Sequence, residues 1–165
     1  MLSNGISTKD FFSKNLKNRK QIFVIKEPSR TIEDDLKFGY KSEDDLIQLL
    51  NESFNDNFRN TKDIYGNEYC NYDFEGLDGR RVELKSRRNK YDDYPTTIIP
   101  IHKCISMNLI PNLFVFNFTD GIYYIEWNKN KFETYDKKII QYNRLGRTDK
   151  NEYYLIPIDD LIKLK

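Results

Sequence analysis

Alanine is missing from all 165 residues, while asparagine, lysine, isoleucine and tyrosine together supply 65. That bias is what AT-rich codons give, and it reports on the coding sequence more than on the fold. Two cysteines, Cys70 and Cys104, are too few for a disulfide framework or a cysteine-based zinc site. A single histidine, His102, adds no zinc cluster either. No apolar run approaches the length of a membrane span, and Met1-Leu2-Ser3-Asn4-Gly5 lacks a signal-peptide core. Net charge is also lacking: 27 basic against 26 acidic residues leave +1. Any surface for a polyanion must therefore be local. No repeat or low-complexity tract stands out. The expectation is an intracellular, soluble protein without a membrane partner.

Bulk is present. Hydrophobic residues make up 38% and aromatics 15% of the chain, enough for a packed core in one domain with a small appendage. Residues 7–18 can form a short helix, and 21–26 read as a strand stopped by Pro28. Residues 1–40 are expected to be an N-terminal elaboration and 41–165 the main domain. Ser42 reads as an N-cap followed by Glu43, Asp44 and Asp45. Leu46, Leu50 and Phe54 then repeat at helical spacing, so 42–58 is expected to be an amphipathic helix. Residues 68–74 look extended, and Gly76 with Asp78-Gly79 marks a hairpin turn into a strand over 80–87. Strands over 95–99, 114–118, 122–127 and 153–158 follow, with helices over 100–108 and 159–164. The run Phe114-Val115-Phe116-Asn117-Phe118 suits a strand buried on both faces. The order implies an α/β or α+β sheet.

The chemistry concentrates in Asp73 and in Arg80-Arg81-Val82-Glu83-Leu84-Lys85-Ser86-Arg87. Side chains alternate along a strand, so Glu83 and Lys85 share the face opposite Val82 and Leu84. If the strands pair across the Gly76–Gly79 turn, Asp73 and Glu83 can face one point. Two carboxylates with the Leu84 carbonyl make an oxygen donor set for a hard divalent ion. A neighbouring ammonium at Lys85 can orient a water or neutralise charge on a phosphate.

These residues resemble the PD-(D/E)XK nuclease superfamily, with Asp73 as the motif's Asp and Glu83-Leu84-Lys85 as its E-x-K. Tyr72 stands where the motif has Pro. The resemblance runs over residues 42–127. The further string through Tyr94-Pro95-Thr96-Thr97 to His102-Lys103 is similar to a subgroup from large DNA viruses. It implies a restriction-endonuclease-like mixed central sheet flanked by helices. It also implies magnesium-dependent hydrolysis of phosphodiester bonds in DNA by an endonuclease, with manganese able to substitute. Asp73, Glu83 and Leu84 would hold the metal and Lys85 would assist the water. A helix carboxylate often joins them. Glu43 lies on the stripe of Leu46, Leu50 and Phe54, whereas Glu52 lies off it, so Glu43 is the expected one. Cutting both strands often calls for a homodimer.

Residues 80–90 hold six bases against one acid. Arg81, Arg87, Arg88, Lys90, Lys103 and Arg147 are the expected nucleic-acid contacts, with Arg144 as a possible addition and Tyr91 and Tyr94 able to stack on bases. Each piece also has a plainer reading. An E-x-K on a solvent face of a sheet is ordinary, Asp78 reads as a turn residue, and Glu75 rivals Asp73 if the bend falls later. His102 reads as a packing or surface residue. A non-catalytic nucleic-acid-binding accessory protein with the same fold is the alternative function.

Overall fold

The computed structural model describes residues 21–27, 31–66, 70–105 and 110–164. The expected helix over 7–18 lies outside them. The elements, in chain order, begin with β1 (Ile22–Glu27), α1 (Ile32–Phe54), β2 (Arg59–Asn60), α2 (Thr61–Tyr65), β3 (Phe74–Glu75), β4 (Arg81–Ser86) and β5 (Thr96–Pro100). They continue with β6 (Leu113–Phe118), β7 (Gly121–Glu126), α3 (Lys129–Glu133), β8 (Lys137–Arg144), β9 (Arg147–Pro157) and β10 (Ile162–Lys163). Single 3₁₀ turns cover Ile101–Cys104 and Ile158–Asp160.

The strand β6 is the centre of the molecule. Leu113 and Val115 point to one face and Phe114, Phe116 and Phe118 to the other, and all five are buried. On the first face they meet Val82, Leu84 and Phe74 with Leu46 and Leu50 of α1. On the second they meet Ile99, Phe132, Tyr154 and Ile156. β6 thus lies in a six-stranded sheet of order β10-β7-β6-β4-β3-β2, with α1 on one face and a four-stranded sheet of order β1-β8-β9-β5 on the other side. Both sheets are mixed, because β4 runs parallel to β6 and β1 parallel to β8, while the other pairings are antiparallel.

A mixed α+β protein is therefore what the residues build, but the single central sheet flanked by helices is replaced by two sheets. β5 leaves β4 and pairs with β9. The helix expected over 100–108 is reduced, among the described residues, to one 3₁₀ turn, because the isoleucines at 98, 99 and 101 favour extended backbone up to the turn. Of the expected strand over 68–74, residues 68 and 69 lie outside the described residues, and among 70–74 only Phe74 is in a strand, β3. The helix expected over 159–164 is a 3₁₀ turn followed by β10, which pairs with β7.

α1 begins ten residues before Ser42. Thr31 and Asp34 form a reciprocal capping box, with Asp34 N–H donating to Thr31 Oγ1 at 3.2 Å and Thr31 N–H donating to Asp34 Oδ2 at 3.0 Å. The helix stops at Asn55, whose backbone is left-handed (φ 47°), so it does not reach residue 58. β1 and the first turns of α1 fall within the expected elaboration of residues 1–40, and β1 pairs with β8 along its whole length. Among the described residues no helix is long and apolar enough to cross a membrane.

Candidate active site

The hairpin of β3 and β4 forms as expected, with Phe74 opposite Val82 and Glu75 opposite Arg81. Its turn closes through Gly79 N–H to the Gly76 carbonyl at 3.0 Å, with Gly79 at φ 81°. A side chain at Gly76 would collide with the Asp56 carboxylate. β3 is so short that β4 projects past it. Arg81 O and Arg87 N bond toward the β6 side, at Asn112 N and Asn117 O, whereas Val82 O accepts from Asp73 N. Backbone groups alternate along a strand, so Leu84 turns its N–H and carbonyl to the uncovered edge. There Asp73 Oδ2 accepts the Leu84 N–H at 2.7 Å. The Leu84 carbonyl and the Asp73 carboxylate therefore share that edge.

Glu83 lies on the opposite face of β4 from α1 and is only 2% exposed. Lys85 Nζ donates to its Oε1 at 2.5 Å. Lys103 Nζ, from the 3₁₀ turn, reaches Oε1 at 3.0 Å and Oε2 at 3.1 Å, and also donates to the Asn71 carbonyl at 3.0 Å. Glu43 is buried at the cleft from the α1 side. Its Oε2 accepts from Asn60 Nδ2 and from Lys62 Nζ, each at 2.9 Å. Glu43, Asp73, Glu83, Leu84 and Lys85 all line one open cleft of about 810 Å³. Carboxylates from α1, the β3 approach and β4 therefore line one cleft, and Glu83 and Glu43 lie near enough to Asp73 to act on its charge.

Charge is balanced unevenly among them. Glu83 has two ammonium partners and Glu43 has one. Among the described residues no ammonium or guanidinium pairs with Asp73. Burial and the negative charge of Glu83 push its carboxyl up to about 7, against the pull of Lys85 and of the Leu84 N–H; Glu43 adds to the rise. No set of three His, Cys, Asp or Glu side chains among the described residues is already gathered as a metal site. The donor chemistry nonetheless fits a divalent cation. Two carboxylates and a carbonyl are hard oxygen ligands, and Asp73, once ionised, has no ammonium bonded to it among the described residues.

The rival acids are elsewhere. Glu75 accepts from the Tyr65 and Tyr72 hydroxyls, each at 2.7 Å, and these bonds hold its carboxyl below the ordinary range. Asp78 caps Arg80 N–H at 2.8 Å in the turn. Glu52 is exposed on α1 and bonded to Gln48 at 2.9 Å. His102 is largely exposed, and partial desolvation together with the nearby Lys103 and Lys85 lowers its pKa. Burial pushes the Cys104 thiol up to about 12.

The expected phosphate contacts separate into groups. Arg88 lines the cleft and lies 3.7 Å from Asp35, and Lys90 is exposed on the following loop. Arg87 lines the cleft, yet its guanidinium straps β5 through Thr97 Oγ1 at 3.1 Å and the Ile98 carbonyl at 2.6 Å instead of projecting to solvent. Lys103 is held on Glu83. Arg81 lies against the Tyr72 ring, 5.9 Å from its centroid, outside the cleft lining. Arg147 is exposed beside the β8–β9 turn and bonded to Asp149 at 2.6 Å. Tyr91, read as a base stacker, is a packing residue: its ring stacks on Tyr123 at 4.0 Å and its hydroxyl donates to the Ile158 carbonyl. Tyr94 is 62% exposed at the cleft. Asn60, Lys62 and Asp35 were not legible as site residues, because only the tertiary fold carries them there.

Comparison with protein-family models, with curated proteins and with solved structures returns no match to this chain.

Proposed function

We propose that the chain is a divalent-metal-dependent nuclease that hydrolyses phosphodiester bonds in DNA through a PD-(D/E)XK-like site. The observation that carries this reading is that Glu43, Asp73, Glu83 and Lys85 line one open cleft, with the charges of both glutamates acting on Asp73. Lysines compensate Glu83 and Glu43, whereas Asp73 has no ammonium bonded to it among the described residues, and a cation held there would relieve its repulsion with Glu83. The order α1, the β3–β4 hairpin, β5, a turn and then β6 parallel to β4 supports a restriction-endonuclease-like core. The second sheet and the 3₁₀ turn that stands, among the described residues, in place of the second helix depart from it.

Asp73, Glu83 and the Leu84 carbonyl are the residues that would hold magnesium. The bound ion supplies a Lewis acid and lowers the pKa of a water. Glu43 sets the electrostatics on the α1 side, with Asn60 and Lys62 fixing its carboxylate. Lys85 Nζ stands at Glu83 Oε1 with donor capacity left to orient a water or to meet a negative phosphate oxygen. Lys103 keeps Glu83 in place from below. Arg88 adds positive charge at the cleft for the polyanion.

Incubation with plasmid and with linear and branched DNA, in magnesium, in manganese and in chelator, tests the proposal on a gel. Cleavage that requires metal is expected. Salt-dependent binding without cleavage in either metal points instead to the accessory-protein alternative.

A further inference from the structure

The cleft has two unlike walls. One carries the charged groups: Lys85 on β4 and Arg88 just beyond it. The other is the face of the four-stranded sheet where β1 meets β8. Ile25 lies abreast of Tyr142 in that parallel pair, and Ile140 shares their face by alternation. Ile25, Ile140 and Tyr142 line the cleft, and exposed Tyr94 joins them from the loop before β5. Arg144 continues the β8 face beyond Tyr142. Its guanidinium lies over the Tyr142 ring, 5.1 Å from the centroid, and pairs with Asp35 at 3.1 Å and with Asp149 at 3.0 Å, while Asp35 lies 3.7 Å from Arg88.

A duplex presents sugar and phosphate on its outside and keeps its bases stacked within, so an isoleucine-and-tyrosine wall gives it no partner. A single strand has a phosphate edge and an unstacked base edge, and these need a cationic and an apolar aromatic wall respectively. We infer that the cleft takes one polynucleotide strand, with phosphates on the side of Lys85 and Arg88 and bases against Tyr142, Tyr94 and the isoleucines. Arg144, although paired with Asp35 and with Asp149, adds positive charge at the end of the β8 wall. The inference rests on the cleft being the substrate site of the proposed nuclease, and it narrows that substrate to single-stranded segments or strand ends.

The test is fluorescence anisotropy of the full chain in chelator, with a labelled oligothymidylate and with a blunt duplex of the same length. The single strand is expected to bind at least about tenfold more tightly. Tyr94→Ala and Tyr142→Ala are each expected to weaken it by about tenfold, and Arg144→Gln to lower the salt slope by about 0.7. Tyr94 is exposed, so its variant keeps the test valid if Tyr142→Ala folds poorly. Equal or tighter duplex binding, no binding of either probe, or unchanged affinity in Tyr94→Ala overturns the inference. Cleavage assays separate the two ideas. Single-strand preference without cleavage in magnesium or manganese upholds this inference and removes the nuclease. Preferential cutting of duplex does the reverse.

Discussion

Glu83→Gln is expected to slow metal-dependent cleavage by at least about 10³-fold, a loss of the size seen when one electrostatic contact to a transition state is removed. The substitution keeps the shape of the side chain and removes its charge. Glu83 is nearly sealed in the protein, yet two ammoniums point at it. Its neutralisation therefore removes a proposed metal ligand and leaves Lys85 and Lys103 without their counter-charge. A buried pair broken on one side costs about 3–5 kcal/mol; because the lysines keep some contact with solvent, a smaller part of that cost is expected in urea melts. Single-turnover cleavage with excess protein measures the rate effect separately from any loss of folded material. Cleavage at the parent rate would remove Glu83 from the mechanism.

Asp73→Asn is expected to abolish cleavage and yet to stabilise the fold, a pairing that a purely structural residue does not give. The Asp73 carboxyl is raised to about 7 by burial and by Glu83, whereas in the unfolded chain it titrates near 3.9. Between those values the folded state binds the extra proton, so stability falls as pH rises through that window and levels off above it. The shift corresponds to as much as about 4 kcal/mol at pH 8. Asparagine carries no such penalty and its side-chain oxygen can still accept the Leu84 N–H. Denaturant melts in chelator are expected to show the parent losing stability from about pH 4 to 7, and the variant lacking that slope. A variant less stable than the parent at pH 8 would mean that Asp73 serves the fold.

Several features were legible because they are local. The turn glycines placed the β3–β4 hairpin, alternation put Glu83 and Lys85 together, and helical spacing put Glu43 on the stripe with Leu46 and Leu50. The start of α1 was misread because two N-terminal signatures compete, Thr31 with Asp34 and Ser42 with its acidic followers, and only the first caps the helix. The second sheet was hidden for a different reason. β8 carries the sequence Lys137-Lys138-Ile139-Ile140-Gln141-Tyr142, in which lysines interrupt both faces so that neither is uniformly apolar. The pairing of Lys103 with Glu83 joins residues 20 apart in sequence through a turn that was expected to be a helix. Arg87 looked like surface charge because nothing local announces that β5 folds back across it.

The most direct test is a calorimetric titration of the metal-free protein with manganese, run in parallel on Asp73→Asn. One ion per chain bound by the parent, and none by the variant under the same conditions, is the predicted result. Equal binding by the two proteins, or no binding by the parent, would contradict a metal held between Asp73 and Glu83.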